Sequence, residues 1–167
     1  MTNDQATFLL NVYMTDLGYE CAVTRKVLAA LPEGKHDYRP DPVTRSAGEI
    51  AWHLAQSEEW FLRSILKGEF PMPGDEKPPA SDPSTAALVS YYEGTVLPLL
   101  EQVKNAPADT LAKPIDFFGM FKNEAVTYLG FMLRHSVHHR GQLCAMLRTV
   151  GGKVPSIYGG SADEPMM

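Results

Sequence analysis

The stretch SAGEIAWHLAQSEEWFLRSILKG, Ser46 to Gly68, carries both ends of a helix and its buried face. Ser46 and Glu49 have the spacing of a capping box. In it the serine hydroxyl accepts from a first-turn backbone N–H, and the glutamate reaches back to the serine N–H. Ile50, His53, Leu54, Ser57, Phe61, Leu62 and Ile65 then recur every three or four residues, on one side of a helix. Gly68 closes the segment, as glycine does where a chain leaves a helix through the left-handed region. One position on the stripe is out of keeping. His53 is polar, and a buried polar group without a partner costs about 1–3 kcal/mol.

Three more long segments carry the same period, and none shows the alternation of a half-buried strand. The first runs from about Asn3 to Leu31, with Phe8, Leu9, Val12, Leu17, Val23, Val27 and Leu28 as its stripe. Thr2 with Gln5 offers a second capping box, and Pro32 lies just beyond the end. After a Pro-rich acidic loop (Glu69 to Pro83), Asp82-Pro83 reads as the N-cap and first position of a third helix reaching about Asn105. Pro98 inside it removes a backbone donor and predicts a kink or break near Val96 and Leu97. The connector from Ala106 to Lys122 is apolar for a loop, and its Phe117, Phe118, Met120 and Phe121 are expected to fold back as the wall of a pocket. The fourth helix is expected from Asn123 to Val150, stopped by Gly151-Gly152. Four helices of this length give an all-α four-helix bundle, one domain spanning residues 1–167.

The formal net charge of −5 comes without a basic block, which argues against nucleic acid as the partner. No apolar run approaches the roughly 18 residues that a membrane span needs, and MTNDQATFLLNVY lacks the positive start of a secretory signal. Cys21 and Cys144 lie inside helical segments and are no disulfide framework. No membrane partner and a cytoplasmic location are the expectations.

The fourth helix holds LRHSVHHRGQL, Leu133 to Leu143, with three of the chain's five histidines within five residues. Residues four apart on a helix differ by only about 40° in direction, so His135 and His139 point the same way. His138 lies about 60° to the other side of His135 and is the alternative partner at i,i+3. A metal held by two such imidazoles needs a third ligand, and His53 on the stripe of the second helix is the candidate. Three neutral nitrogens leave coordination positions open for water or substrate, as in catalytic sites. The bland reading of the same residues is a polar seam, with the histidines facing carboxylates or solvent. HExxH is absent, and the one Glu-x-x-His, Glu33 to His36, sits in a loop, so the carboxylate-rich di-iron pattern is missing. A Walker loop, a Rossmann fingerprint and a GxSxG elbow are missing too.

Around this pattern, bland roles are expected. Glu58 and Glu59 read as a solvated edge, Ser57 as a small residue at the seam, and Cys144 as a buried hydrophobe. Gly130 and Gly141 read as points of close helix packing. Trp60, Tyr91, Tyr92 and Tyr128 read as core rather than pocket wall. Arg140 reads as an inter-helix ion pair ahead of an anchor for an anionic group, and the role of Gln142 is open.

The segments AWHLAQSEEW (Ala51 to Trp60) and HSVHHRGQL (His135 to Leu143) resemble the DinB-like family of helical bundles, which includes the YfiT-like metal-dependent proteins. The tail KVPSIYGGSADE (Lys153 to Glu164) is similar as well. The resemblance implies an up-down-down-up bundle, often a homodimer. It implies a divalent metal on His53, His135 and His139, with His138 spared. It also implies thiol chemistry, because the better-understood relatives are transferases or isomerases in which a low-molecular-weight thiol reacts at the metal. A metal ion favours thiolate over thiol, and equally lowers the pKa of water toward about 7. Three readings follow: a metal-dependent enzyme on a small molecule, thiol S-transferase ahead of hydrolase; a non-catalytic module binding metal or a small ligand; and a structural bundle. Metal content separates the third from the others, and turnover separates the first two. Zinc, nickel, cobalt, copper, iron and manganese all suit three imidazoles.

Overall fold

A computed structural model of the chain describes residues 1–72, 74 and 84–166, and the protein is mostly helical. The elements are α1 (Asn3–Ala29), α2 (Ala47–Lys67), α3 (Thr85–Tyr91), a π-helical turn (Tyr92–Val96), α4 (Leu97–Lys104) and α5 (Ala108–Ala112). A hairpin follows, β1 (Pro114–Phe117) and β2 (Phe121–Glu124), then a 3-10 turn (Ala125–Thr127) and α6 (Tyr128–Thr149). The start at Asp82-Pro83 lies outside the described residues; α3 is capped by Ser84, whose hydroxyl accepts from the Ala87 N–H.

Both capping boxes form. Thr2 N–H donates to Gln5 Oε1 at 2.9 Å while Gln5 N–H donates to Thr2 Oγ1 at 3.2 Å. Ser46 and Glu49 exchange the same bonds at 2.8 and 3.2 Å, and Gly68 ends α2 at φ +79°. Local chemistry thus sets the ends of α1 and α2, and burial of one face sets how they pack. On α2 that face is the expected one: Ile50, Leu54, Phe61, Leu62 and Ile65 are buried, and α2 packs most extensively on α6. On α1 it is the expected one only in the second half, where Leu17, Val23, Val27 and Leu28 are buried. In the first half Phe8 is 67 % exposed and Val12 is exposed, while Ala6 and Leu10 face the core. Phe8, Leu9 and Leu10 are consecutive, so the period alone admitted two registers, and packing selects the one through Ala6 and Leu10.

Pro98 produces a π turn rather than a break. Leu97 N–H reaches back five residues to Tyr92 O, and α4 resumes with Pro98 in its first turn. The wider turn takes up the missing donor and the bulk of the ring, and it leaves Tyr92 fully buried.

The aromatic connector departs from the all-helical expectation. β1 and β2 pair antiparallel, Pro114 with Glu124 through Phe117 with Phe121, and α6 consequently begins at Tyr128 rather than Asn123. At the tip Phe118 has φ +55° and Gly119 φ +72°, the positive pair that a type I′ turn requires. Met120 N–H donates to Phe117 O at 3.1 Å, and Gly119 N–H to Asp116 Oδ2 at 2.8 Å. A phenylalanine held in the left-handed region costs about 1–3 kcal/mol.

Gly130 lets α1 approach α6: a Cβ there would lie 2.7 Å from Tyr13 Oη and 2.9 Å from its ring. Gly141 has no such neighbour within 4 Å, so close packing does not account for it. Beyond α6 the chain turns back. Tyr158 donates to Glu20 on α1 at 2.9 Å and accepts from Arg140 on α6 at 2.6 Å. No helix among the described residues is long and apolar enough to cross a membrane.

Candidate metal centre

The contact of α2 with α6 brings three imidazoles to one point. His53 Nε2 lies 3.2 Å from His135 Nε2 and 3.2 Å from His139 Nε2. Nitrogens bound to one tetrahedral zinc at about 2.0–2.1 Å stand roughly 3.3 Å apart, so these two spacings match those of ligands around one ion, and all three ligand atoms lie within 4.8 Å of one another. His138 is exposed on the outer side of α6, and the pair at i,i+4 is the one that converges.

The protons support the same conclusion. His139 Nδ1 lies 2.8 Å from Gln142 Oε1, an acceptor, so the ring proton sits on Nδ1 and the Nε2 lone pair points inward. His135 Nδ1 is buried with no hydrogen-bond partner among the described residues. One proton on His53 Nε2 would satisfy only one of its two neighbours. A cation shared by three lone pairs removes the conflict, and the donor set therefore fits a divalent metal. Burial, helped by the charges of neighbouring imidazoles, pushes the His135 pKa down to about 3 and that of His139 to about 4. Both rings are neutral at physiological pH, the state in which an imidazole can ligate a metal. Ser57 Oγ lies 3.4 Å from His53 Nδ1.

A cavity of about 440 Å³ opens beside His53 and His135. Trp60 and Phe61 of α2, Phe131 of α6 and the hairpin's Phe117, Phe118 and Met120 wall it. Phe121, expected with them, instead stacks behind Phe117 with ring centroids 4.9 Å apart. Trp60, expected in the core, is pocket wall. Tyr91 edges onto Trp52, and Tyr128 is buried with its hydroxyl donating to Ile115 O at 2.8 Å.

The acidic pair after Ser57 corrects the expectation of a solvated edge. Glu58 is 2 % exposed, accepts from Tyr92 Oη at 2.5 Å, and lies 3.4 Å from Thr24 Oγ1. Burial pushes its carboxyl pKa up, against the pull of Tyr92, Ser136 and Arg140. Glu59 is partly buried and engaged by Arg63 at 2.7 Å and by the Tyr91 hydroxyl. Arg140 is buried in an inter-helix ion pair with Glu20 and donates to Glu20 O at 2.8 Å, so it does not reach the cavity. Burial also raises the pKa of the Cys21 thiol, 3.9 Å from Glu58, and of the half-buried Cys144. Glu58 with Tyr92 was not found from sequence, because its partners come from three other segments. Gln142 carried a signal in its i,i+3 spacing to His139.

A family model described as the DinB family matches residues 11–166. The chain is 27 % identical over 158 residues to the uncharacterized protein YrdA of Bacillus subtilis, covering 93 % of this chain and 91 % of that protein. It is 24 % identical over 131 residues to the uncharacterized protein YjoA of the same organism, 77 % of this chain and 82 % of that one. Among solved structures, a DinB-like protein from Bacillus cereus superposes with TM-score 0.73 at 24 % identity, over 87 % of this chain and 95 % of that one. The YjoA structure gives 0.69 at 21 %, over 89 % and 96 %.

Proposed function

The chain belongs to the DinB family, and on that premise we propose that it is a metal-dependent enzyme with His53, His135 and His139 as ligands, a thiol S-transferase ahead of a hydrolase. The observation that carries the reading is the convergence of three imidazole nitrogens at the edge of an aromatic cavity. A divalent ion held there supplies charge that stabilises a thiolate, or lowers the pKa of water, at an open position.

The chain's own residues supply the rest. Gln142 fixes the tautomer and tilt of His139. The ring of aromatic side chains around the cavity keeps water from competing with a bound small molecule. What favours sulfur over oxygen is the acid–base inventory. Apart from the two histidines, no titratable side chain lines the cavity among the described residues. Glu58 and Glu59 are committed to Tyr92 and to Arg63 and Tyr91. Hydrolysis at neutral pH calls for a positioned base, whereas a thiol stabilised as thiolate is already a nucleophile. A low-molecular-weight thiol is therefore the cosubstrate in this reading. The same sparse inventory also suits a non-catalytic module that holds a metal or small ligand, and turnover decides between them.

In this reading α1, α2, the α3–α4 unit and α6 form the up-down-down-up bundle of the family, and the protein works in the cytoplasm without nucleic acid or membrane. Two copies pair as a homodimer through the exposed Phe8, Val12 and Tyr19 of α1. Sedimentation equilibrium is expected to give a dimer, and Phe8→Glu with Val12→Glu a monomer.

The deciding experiment is metal content by mass spectrometry on untagged protein purified without chelator. About one divalent ion per chain, lost in His53→Ala, supports the site; turnover of an electrophile with a low-molecular-weight thiol then supports the enzyme. A wild type that takes up no metal even after soaking overturns the reading.

A further inference from the structure

The hairpin tip puts an aromatic residue where the backbone disfavours one. Phe118 and Gly119 both hold positive φ, and Asn, Asp or Gly would meet the first of these positions with less strain. The Phe118 side chain is only partly buried in return: it remains 37 % exposed, with its ring centroid 5.1 Å from that of Phe117 and 6.5 Å from that of Phe70. Its ring instead lies parallel to Trp60, at 9° with centroids 6.2 Å apart, on the wall of the cavity beside His53 and His135. Trp60 is itself held in place, its Nε1–H donating to Pro71 O at 3.1 Å. The cavity's volume, about 440 Å³, lies within the roughly 300–1,000 Å³ of small-molecule sites. Polar atoms reach it from His53, His135 and Ser57, and no described lining residue is an Asp, Glu, Lys or Arg.

We propose that this cavity binds an uncharged aromatic or apolar small molecule, gripped by Trp60 and Phe118 and held against the His53–His135 face, and that Phe118 keeps its strained backbone for that contact. With no metal on the histidines, an ionised group entering here would lose its water and gain no counter-charge from the walls, whereas a neutral ring gains apolar burial and edge or stacking contacts. The chemistry done on the ligand rests on the metal-dependent reading above; the binding does not.

The test is a fluorescence titration of the purified protein with N-phenyl-1-naphthylamine, an uncharged aromatic probe, and with its 8-sulfonate derivative. Metal content is measured on the same preparation. On protein stripped of metal by chelator the uncharged probe is expected to bind, and the sulfonate at least about tenfold more weakly. Phe118→Asn and Trp60→Leu should each weaken the uncharged probe roughly fivefold or more. Phe118→Asn, by relieving the turn, should leave Tm unchanged or raised. Equal binding of the two probes, or an unaltered affinity in both variants, overturns the site. A lowered Tm in Phe118→Asn overturns the strain assignment, because it makes the ring a packing residue. Protein that carries metal but no probe refutes this pocket and spares the metal site; probe binding without metal does the reverse.

Discussion

Folding makes His135 and His139 harder to protonate, moving their pKa values from 6.5 to about 3 and about 4. Below about pH 6.5 the unfolded chain therefore binds more protons than the folded one, and stability rises with pH across that window. The contribution is complete above 6.5 and is lost as the pH falls toward 4. For metal-free protein, Tm by calorimetry should fall from about pH 7 to about pH 4.5 more steeply than in the double variant His135→Ala, His139→Ala. Equal slopes would contradict the assignment of neutral, buried rings. The same protons compete with metal, so affinity should weaken in that direction too. Removing a ligand, as in His53→Ala or His135→Ala, should cost more than roughly 100-fold in metal affinity, and Gln142→Ala about tenfold through the loosened His139 ring. His138→Ala should leave the affinity unchanged. If His138→Ala strips the metal and His139→Ala does not, the i,i+4 assignment fails. That His135 and His139 share a face was legible because direction along a helix is local geometry; the preference over His138 came from the resemblance to the DinB-like family. The burial of Glu58 was not, since nothing in SEEW marks an acid that Tyr92, Thr24 and Arg140 will enclose.

On α6 two glycines about three turns apart behave oppositely, although both carry the same intrinsic penalty. Gly130→Ala drives a Cβ into the Tyr13 ring and should destabilise by about 1–3 kcal/mol, less whatever helix propensity returns. Gly141→Ala meets open space and should stabilise by up to about 1 kcal/mol. Thermal or urea unfolding checks both signs. The elements whose ends are locally written, α1 and α2 with their capping boxes, were readable to within a residue or two. The hairpin was not: each strand is four residues long, too short for an alternation to stand out, and Phe118 occupies a turn position where Asn or Asp would have announced it. Pro98 did announce a disturbance. That it became a π turn depended on Tyr92 finding Glu58 across the core, a contact no local pattern contains.

Across the whole molecule a second polar assembly lies beside the three histidines, running from the buried Thr24, Glu58, Tyr92 and Arg140 to the half-buried Glu20 and the exposed Tyr158, and joining α1, α2, the π turn, α6 and the C-terminal tail. Because burial raises the Glu58 pKa, the folded chain binds more protons than the unfolded one above the ordinary carboxylate pKa, and stability falls as pH rises through the folded value. Glu58→Gln keeps an acceptor for Tyr92 and removes the charge. Its Tm relative to wild type should therefore increase from about pH 5 to about pH 8. Glu58→Ala, which leaves the buried Tyr92 hydroxyl without its acceptor, should cost about 1–3 kcal/mol by chemical denaturation. A Glu58→Gln difference that is flat with pH would mean the carboxyl titrates normally.

The separation of the ligands along the chain also has a consequence for biosynthesis. His53 is 82 residues from His135 and 86 from His139, whose helix is the last to be made. At about 5–20 residues per second a ribosome needs roughly 4–17 s to pass from one half of the site to the other. During that interval the nascent chain carries His53 without either of its α6 partners, too weak a hold to retain an ion. If the three imidazoles hold a metal as proposed, loading is a step after translation, and the ion taken is the one most available in the compartment where α6 docks.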